Sequence, residues 1–198
     1  MKARDGKLIL ILGILISIIS LLTAFFGWKP WYFVGTFGFW FFFDYFSSKK
    51  NKITAIQLFI NNKKSFTNLY MAMLALGMSI EYLGKFVFGF WHYPYQSLLF
   101  EIILILLYPF ILFATREIYE TSKLIIKNKV LSVVLAMIIG IVLMEIPNLY
   151  SGLWIYTVPF GFDILGINVI VLIGWVILIL APAYVYDKFF NNKILNIK

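Results

Sequence analysis

Six apolar stretches dominate the chain, at about 8–26, 31–46, 66–91, 96–116, 130–148 and 165–186. Most are long enough for a helix across roughly 30 Å of hydrocarbon, the second being the shortest. None has the strict alternation of a membrane β-strand, and a helix satisfies every backbone polar group within lipid. The expected fold class is therefore an all-α integral membrane protein with six transmembrane helices. Composition agrees: 198 residues that are 62% hydrophobic, 13% charged and of mean hydropathy +0.91 carry more apolar surface than a soluble domain could bury. Lys2, Arg4 and Lys7 precede the first stretch as in a secretory signal. That stretch is as long as a full span and no Ala-x-Ala-like site follows, so it reads as a retained first helix. With no cysteine, disulfides, thiolate catalysis and thiolate-bound metal are excluded.

The net charge of +8 is distributed as a topology signal. Lys2, Arg4 and Lys7 precede the first span, and Lys49, Lys50, Lys52, Lys63 and Lys64 lie between the second and third. Arg116, Lys123, Lys127 and Lys129 fall between the fourth and fifth, and Lys188, Lys193 and Lys198 follow the sixth. These 15 of the 17 basic residues lie on one side of a six-span arrangement; Lys29 lies opposite and Lys85 within a span. The positive-inside rule then puts both termini in the cytoplasm of a multi-pass cell-membrane protein. Membrane lipids are the expected partners of the basic loops. A nucleic-acid partner is not expected, because no basic surface is interleaved with base-stacking aromatics.

Three hairpins result in a single membrane domain: 1–46, then 66–120 and 130–187, with a linker over 47–65 whose Ile53–Ile60 run suits an amphipathic surface segment or an ordinary loop. The last two hairpins read as copies. Glu81 followed by Trp91, Tyr93 and Pro94 matches Glu145 followed by Trp154, Tyr156 and Pro159. Glu101, Tyr108 and Glu120 match Asn168, Trp175 and Asp187, each 67 residues later. The Glu-to-Trp intervals differ by one residue, so the copies are imperfect. Both hairpins share an orientation, which makes the repeat parallel, with its axis along the membrane normal.

Polar residues inside apolar spans are costly and usually face the bundle. Glu81 and Lys85, four apart on one helix, are expected to pair. Glu145 has no lysine or arginine within a turn; it is the first choice for a proton donor, with Asn148 and the Pro147-disturbed backbone as hydrogen-bonding neighbours. Glu101 with Tyr108, and Asn168 with Trp175, share a seven-residue spacing that suggests two facing walls of a cleft. Ordinary helix packing would use the same aromatics. Trp91, Tyr93, Trp154 and Tyr156 suit interfacial anchors or the mouth of a cavity. His92 is the sole histidine and no zinc-ligand spacing occurs, so no metal or other cofactor is expected; only oxygen-ligated Mg²⁺ among Glu81, Glu101, Glu145 and Asp163 is compatible with the residues.

Glu81 with Gly89-Phe90-Trp91-His92-Tyr93, then Glu101 with Tyr108-Pro109, resembles the repeated half of the small membrane-embedded lycopene cyclases of bacteria and archaea, and of related carotenoid hydratases. About 110 residues share the pattern. Ser97 to Glu101 lacks the proline and the paired acid usual at that family's second acid, and the second copy has Asn168 in its place. The resemblance implies an isomerase- or hydratase-type enzyme of carotenoid biosynthesis acting on a hydrophobic isoprenoid-like ligand. A neutral acid, Glu145, would protonate an alkene, and Glu101 or Glu81 would serve as base or counter-charge. Tyr108, Trp175, Trp91 and Trp154 would wall the carbocation. The same residues are compatible with a small transporter or substrate-binding membrane subunit, and with a non-catalytic lipid-binding scaffold. Association into a homo-oligomer is compatible with each.

Overall fold

A computed structural model of the chain describes residues 3–49, 53–94, 97–164 and 166–191. Lys2, Lys50, Lys52, Lys193 and Lys198 lie outside the described residues. The molecule is 80% helical and has no barrel of strands. Its helices are α1 (Ala3–Phe25), α2 (Trp31–Ser48), α3 (Ala55–Asn61), α4 (Lys63–Glu81), α5 (Leu98–Ile125), α6 (Lys129–Gly140), α7 (Ile146–Ser151) and α8 (Val169–Asn191). Wider π-helical turns prolong α4 over Tyr82–Val87 and join α6 to α7 over Ile141–Glu145. Among the described residues four segments are long and apolar enough to cross a membrane: Gly6–Phe25, Leu98–Ile125, Lys129–Ser151 and Val169–Phe190.

The α1–α2 hairpin is tight because small residues meet. A Cβ on Gly13 would collide with the Phe42 backbone, and one on Gly38 with the backbone of Ser17. Close approach of this kind replaces the hydrophobic driving force that helices lack in lipid. The hairpin docks on α7, where the Trp31 indole donates to Ser151 Oγ at 2.8 Å and Lys29 donates to the Ser151 carbonyl. That carbonyl belongs to the last turn of α7, which needs such a donor.

Helix α5 is the hub, touching α2, α4, α6 and α8. It runs to Ile125, nine residues beyond the end expected at 116, since the charges that suggested a loop are buried instead. The Arg116 guanidinium lies 3.8 Å from the centre of the Tyr186 ring and 2.5 Å from Glu117. Glu117 also accepts from Ser47 Oγ, and Lys123 pairs with Glu120 at 2.5 Å. Paired in this way, buried charges remain tolerable inside the bundle.

The linker resolves into α3, started by a reciprocal cap between Thr54 and Gln57. Ala55, Ile56 and Leu58 are buried, and the Tyr186 hydroxyl fixes the approach by donating to the Ile53 carbonyl at 2.9 Å. At the opposite end of the bundle, β1 (Trp91–His92) pairs antiparallel with β2 (Ile155–Tyr156), with Trp91 opposite Tyr156 and His92 opposite Ile155. Thr157 continues this ribbon by donating its N–H to the Phe90 carbonyl at 2.9 Å. A second ribbon, β3 (Asp163–Ile164) with β4 (Ile167–Asn168), occupies the start expected for the sixth span, so α8 begins only at Val169.

An aromatic cavity and its two glutamates

Glycines at positive φ, Gly89 (63°) and Gly152 (58°), turn the chain out of the two acid-bearing helical segments and into the ribbon. Only glycine takes that conformation without strain. Each ribbon strand then sends aromatic side chains back to the acid that precedes it. Glu81 accepts from the Trp91 indole at 3.4 Å, the Tyr93 hydroxyl at 3.2 Å and the Tyr108 hydroxyl at 2.9 Å. Glu145 accepts from the Tyr156 hydroxyl, 2.9 Å from both carboxyl oxygens, and from the Trp175 indole at 3.0 Å. The Trp154 indole donates to Tyr156 at 2.9 Å, supporting the phenol from behind.

One glycine per acid makes the longest of these reaches possible. Tyr108 packs where Gly77 lacks a side chain, and Trp175 packs where Gly140 does. In α4 the acid follows its glycine by four residues, one α-helical turn. From Gly140 to Glu145 the interval is five, but the π turn lies there, and its i to i+5 winding brings the acid back over the glycine. From Glu81 the π turn comes after the acid instead. Fourteen residues therefore separate Gly77 from Trp91 and Gly140 from Trp154. The one-residue difference between the Glu-to-Trp intervals is the difference in where the π turn falls.

Between these groups lies a partly enclosed cavity of about 400 Å³. Its walls include Glu145, Trp91, Tyr93, Tyr108, Trp154, Tyr156 and Trp175, with aliphatic residues of α4, α5 and α8. Along α5 the lining runs Leu104, Tyr108, Ile111, Thr115, a stripe about 16 Å long at 1.5 Å per residue. Among the described residues no basic side chain lines it. The space is shaped for an apolar guest beside a carboxyl group and several π faces.

Not every expected site residue is there. Lys85 does not pair with Glu81; its ammonium meets Glu101 at 2.9 Å, since aromatic donors occupy the Glu81 oxygens. Neither Lys85 nor Glu101 lines the cavity. Asn148 is not among the lining residues: it accepts from the Leu153 and Trp154 N–H groups at 3.0 and 3.1 Å and donates to the Trp154 carbonyl at 2.9 Å, closing the turn that presents Trp154. Asn168 opens α8, accepting from the Ile170 N–H at 2.9 Å and bonding exposed Asp163 at 3.2 Å. The seven-residue spacing thus selects the right aromatics and the wrong polar residues.

Sequence reasoning also missed three positions. Gly77 and Gly140 stand 63 residues apart, the interval that separates Trp91 from Trp154, and that spacing was a usable signal. Tyr32 lines the cavity from α2, with its ring 4.9 Å from that of Trp154. It has no counterpart in a repeat, and no sequence signal marks it. Among the described residues no group of three histidine or acidic side chains is placed to hold a metal ion.

Fold and site together define a helical protein with, among its described residues, four helices long and apolar enough to cross a membrane and an aromatic cavity with one buried carboxyl group, Glu145, in its wall. No family model, curated protein or solved structure matches the chain.

Proposed function

We propose that this chain is a six-span membrane enzyme that isomerises or hydrates a long unsaturated isoprenoid by proton chemistry in the cavity. Both termini and the lysine-rich loops would face the cytoplasm, with the ribbon outside. The observation that carries the reading is that Glu145, held by aromatic O–H and N–H donors, lines an apolar cavity walled by rings, while Glu81 stands behind Tyr93 and Tyr108 of that wall. The duplication is supported by the ribbon. With an offset of 63 residues Trp91 corresponds to Trp154 and Tyr93 to Tyr156, so Trp91 pairs with the counterpart of Tyr93, and His92 opposes its own counterpart Ile155. An antiparallel pairing centred on equivalent residues is what a two-fold axis along the membrane normal produces.

In this mechanism the Glu145 carboxyl gives its proton to one carbon of an alkene, leaving a carbocation on the other. The faces of Trp91, Trp154, Trp175 and Tyr108 stabilise the positive charge while water is excluded. Loss of a proton from a neighbouring carbon ends the reaction. That proton passes through the Tyr93 or Tyr108 hydroxyl to Glu81, which both phenols already bond. One proton is added and one removed, so no oxidant or reductant is needed. Before the next turnover Glu145 regains a proton as Glu81 gives up the one it took. A single water admitted to the cation in place of proton loss, passing its extra proton to Glu81, gives the hydrated product.

Mass spectrometry of lipid extracted from the purified protein is expected to find an isoprenoid. With that compound as substrate, Glu145→Gln abolishes turnover while binding persists, and Glu101→Gln leaves turnover near wild type. Full turnover in both Glu145→Gln and Glu81→Gln sinks the mechanism. A second reading, carriage of a lipophilic cation, is favoured by the lack of basic side chains in the lining. It predicts saturable flux of such a cation into proteoliposomes.

A further inference from the structure

At the end of the bundle remote from the ribbon, charges separate by sign between interior and surface. Asp44 and Glu117 are 0% exposed and Glu120 is 3% exposed, all three inside the bundle. Lys49, Lys63, Lys64, Lys127, Lys129 and Lys188 are exposed, and Asp187 is the one exposed acid at that end among the described side chains. The surface is therefore far more positive than the sum of residues there implies.

Helix α3 belongs to this end of the bundle, packed against α4 and α2. Its inner face is fixed by the Thr54 cap, by burial of Ala55, Ile56 and Leu58, and by the Tyr186 bond to the preceding carbonyl. The helix cannot turn, yet its outer face is also apolar: Phe59 and Ile60 are each more than half exposed, and Ile53 is exposed beside them. Phe59 packs edge-on against Phe66 of α4, ring centres 5.1 Å apart, which holds it outward next to Lys63 and Lys64. Apolar side chains fixed at the same level as exposed ammonium groups match the boundary between acyl chains and headgroups.

We infer that α3 and the first turn of α4 form a docking surface for anionic phospholipid, whose phosphate meets Lys63 and Lys64 and whose acyl chain lies along Phe59 and Ile60. Charge complementarity selects this occupant, since exposed lysines at this surface face almost no exposed acid. The ribbon end offers a contrast. Phe88, Phe160 and Phe162 are exposed there, while Lys29 is engaged by the Ser151 carbonyl. The inference requires that the bundle lie in a bilayer but not the chemistry proposed for the cavity, so either can fail alone.

The test is native mass spectrometry of the full chain in detergent, titrated with phosphatidylglycerol or phosphatidylcholine of identical acyl chains. The wild type is expected to prefer phosphatidylglycerol. Lys63→Gln and Lys64→Gln should each cut that preference by about five-fold. Phe59→Ser with Ile60→Ser should weaken both lipids and leave the preference intact. The thermal unfolding midpoint of each variant confirms that it is folded. Equal retention of the two lipids by the wild type overturns the proposal. An equal loss of preference in Lys127→Gln with Lys129→Gln also overturns it, by making the effect diffuse. Displacement by millimolar inorganic phosphate would show a free-anion site and overturn the lipid assignment.

Discussion

Glu81 and Glu145 receive similar donors by different routes. Glu145 forms part of the cavity wall and is 4% exposed, held by Tyr156 across both oxygens and by Trp175. Glu81 is half-buried, stands behind Tyr93 and Tyr108, and divides its bonds among three donors, at 2.9 Å from Tyr108 but 3.2 and 3.4 Å from Tyr93 and Trp91. The π turn falls before the acid in one case and after it in the other, yet each acid lies one turn beyond a glycine that admits the aromatic of a later helix. Moving one wide turn along a helix keeps that contact while changing how near the acid stands to the cavity.

The comparison can be broken most directly at the acids. Glu145→Ala leaves a buried hole and strips Tyr156 and Trp175 of their acceptor, an expected loss of about 3 kcal/mol. Glu81→Ala should cost about half as much, because that site admits more solvent. Equal losses in denaturant unfolding of the detergent-solubilised protein would remove the distinction drawn between the two sites.

Next come the glycines. Gly140→Ala forces a methyl group into the Trp175 ring and Gly77→Ala does the same at Tyr108, each expected to cost about 2 kcal/mol by overpacking. If the π turn is what aligns the Gly140 contact, the two losses agree within error; a negligible loss at either glycine breaks the equivalence. The smallest effect separates the donors. Trp175→Phe should cost about 1.5 kcal/mol, and Tyr108→Phe about 1 kcal/mol because Glu81 keeps Trp91 and Tyr93. The reverse order, read from the same unfolding curves, would make Glu81 the more dependent site.

Much of this architecture was legible in the sequence. The apolar stretches give helices in place; the Glu–Trp–Tyr spacing picks out both acids and four of the rings around them, and the seven-residue spacing adds Tyr108 and Trp175. Pairing was harder to read. Four-residue spacing joins Glu81 to Lys85 only on a regular α-helix, and the wide turn starting at Tyr82 redirects Lys85 to α5 and Glu101. The end of α5 was misjudged because isolated charges read as a loop, whereas Arg116 and Glu117 neutralise each other within the bundle. Which helix adds Tyr32 to the cavity depends on docking of the first hairpin, through bonds between residues about 120 positions apart. No local pattern encodes such a contact.

The β1–β2 ribbon also decides which side chain serves which carboxyl group. Neighbouring residues of a strand point to opposite faces, so slipping one strand by a single position would turn Trp91 and Tyr93 away from Glu81, or Tyr156 away from Glu145. The ribbon thus acts as an indexing pin for the whole cavity. Single-residue insertions between Gly89 and Tyr93, or between Gly152 and Tyr156, should be far more damaging than substitutions at the same places.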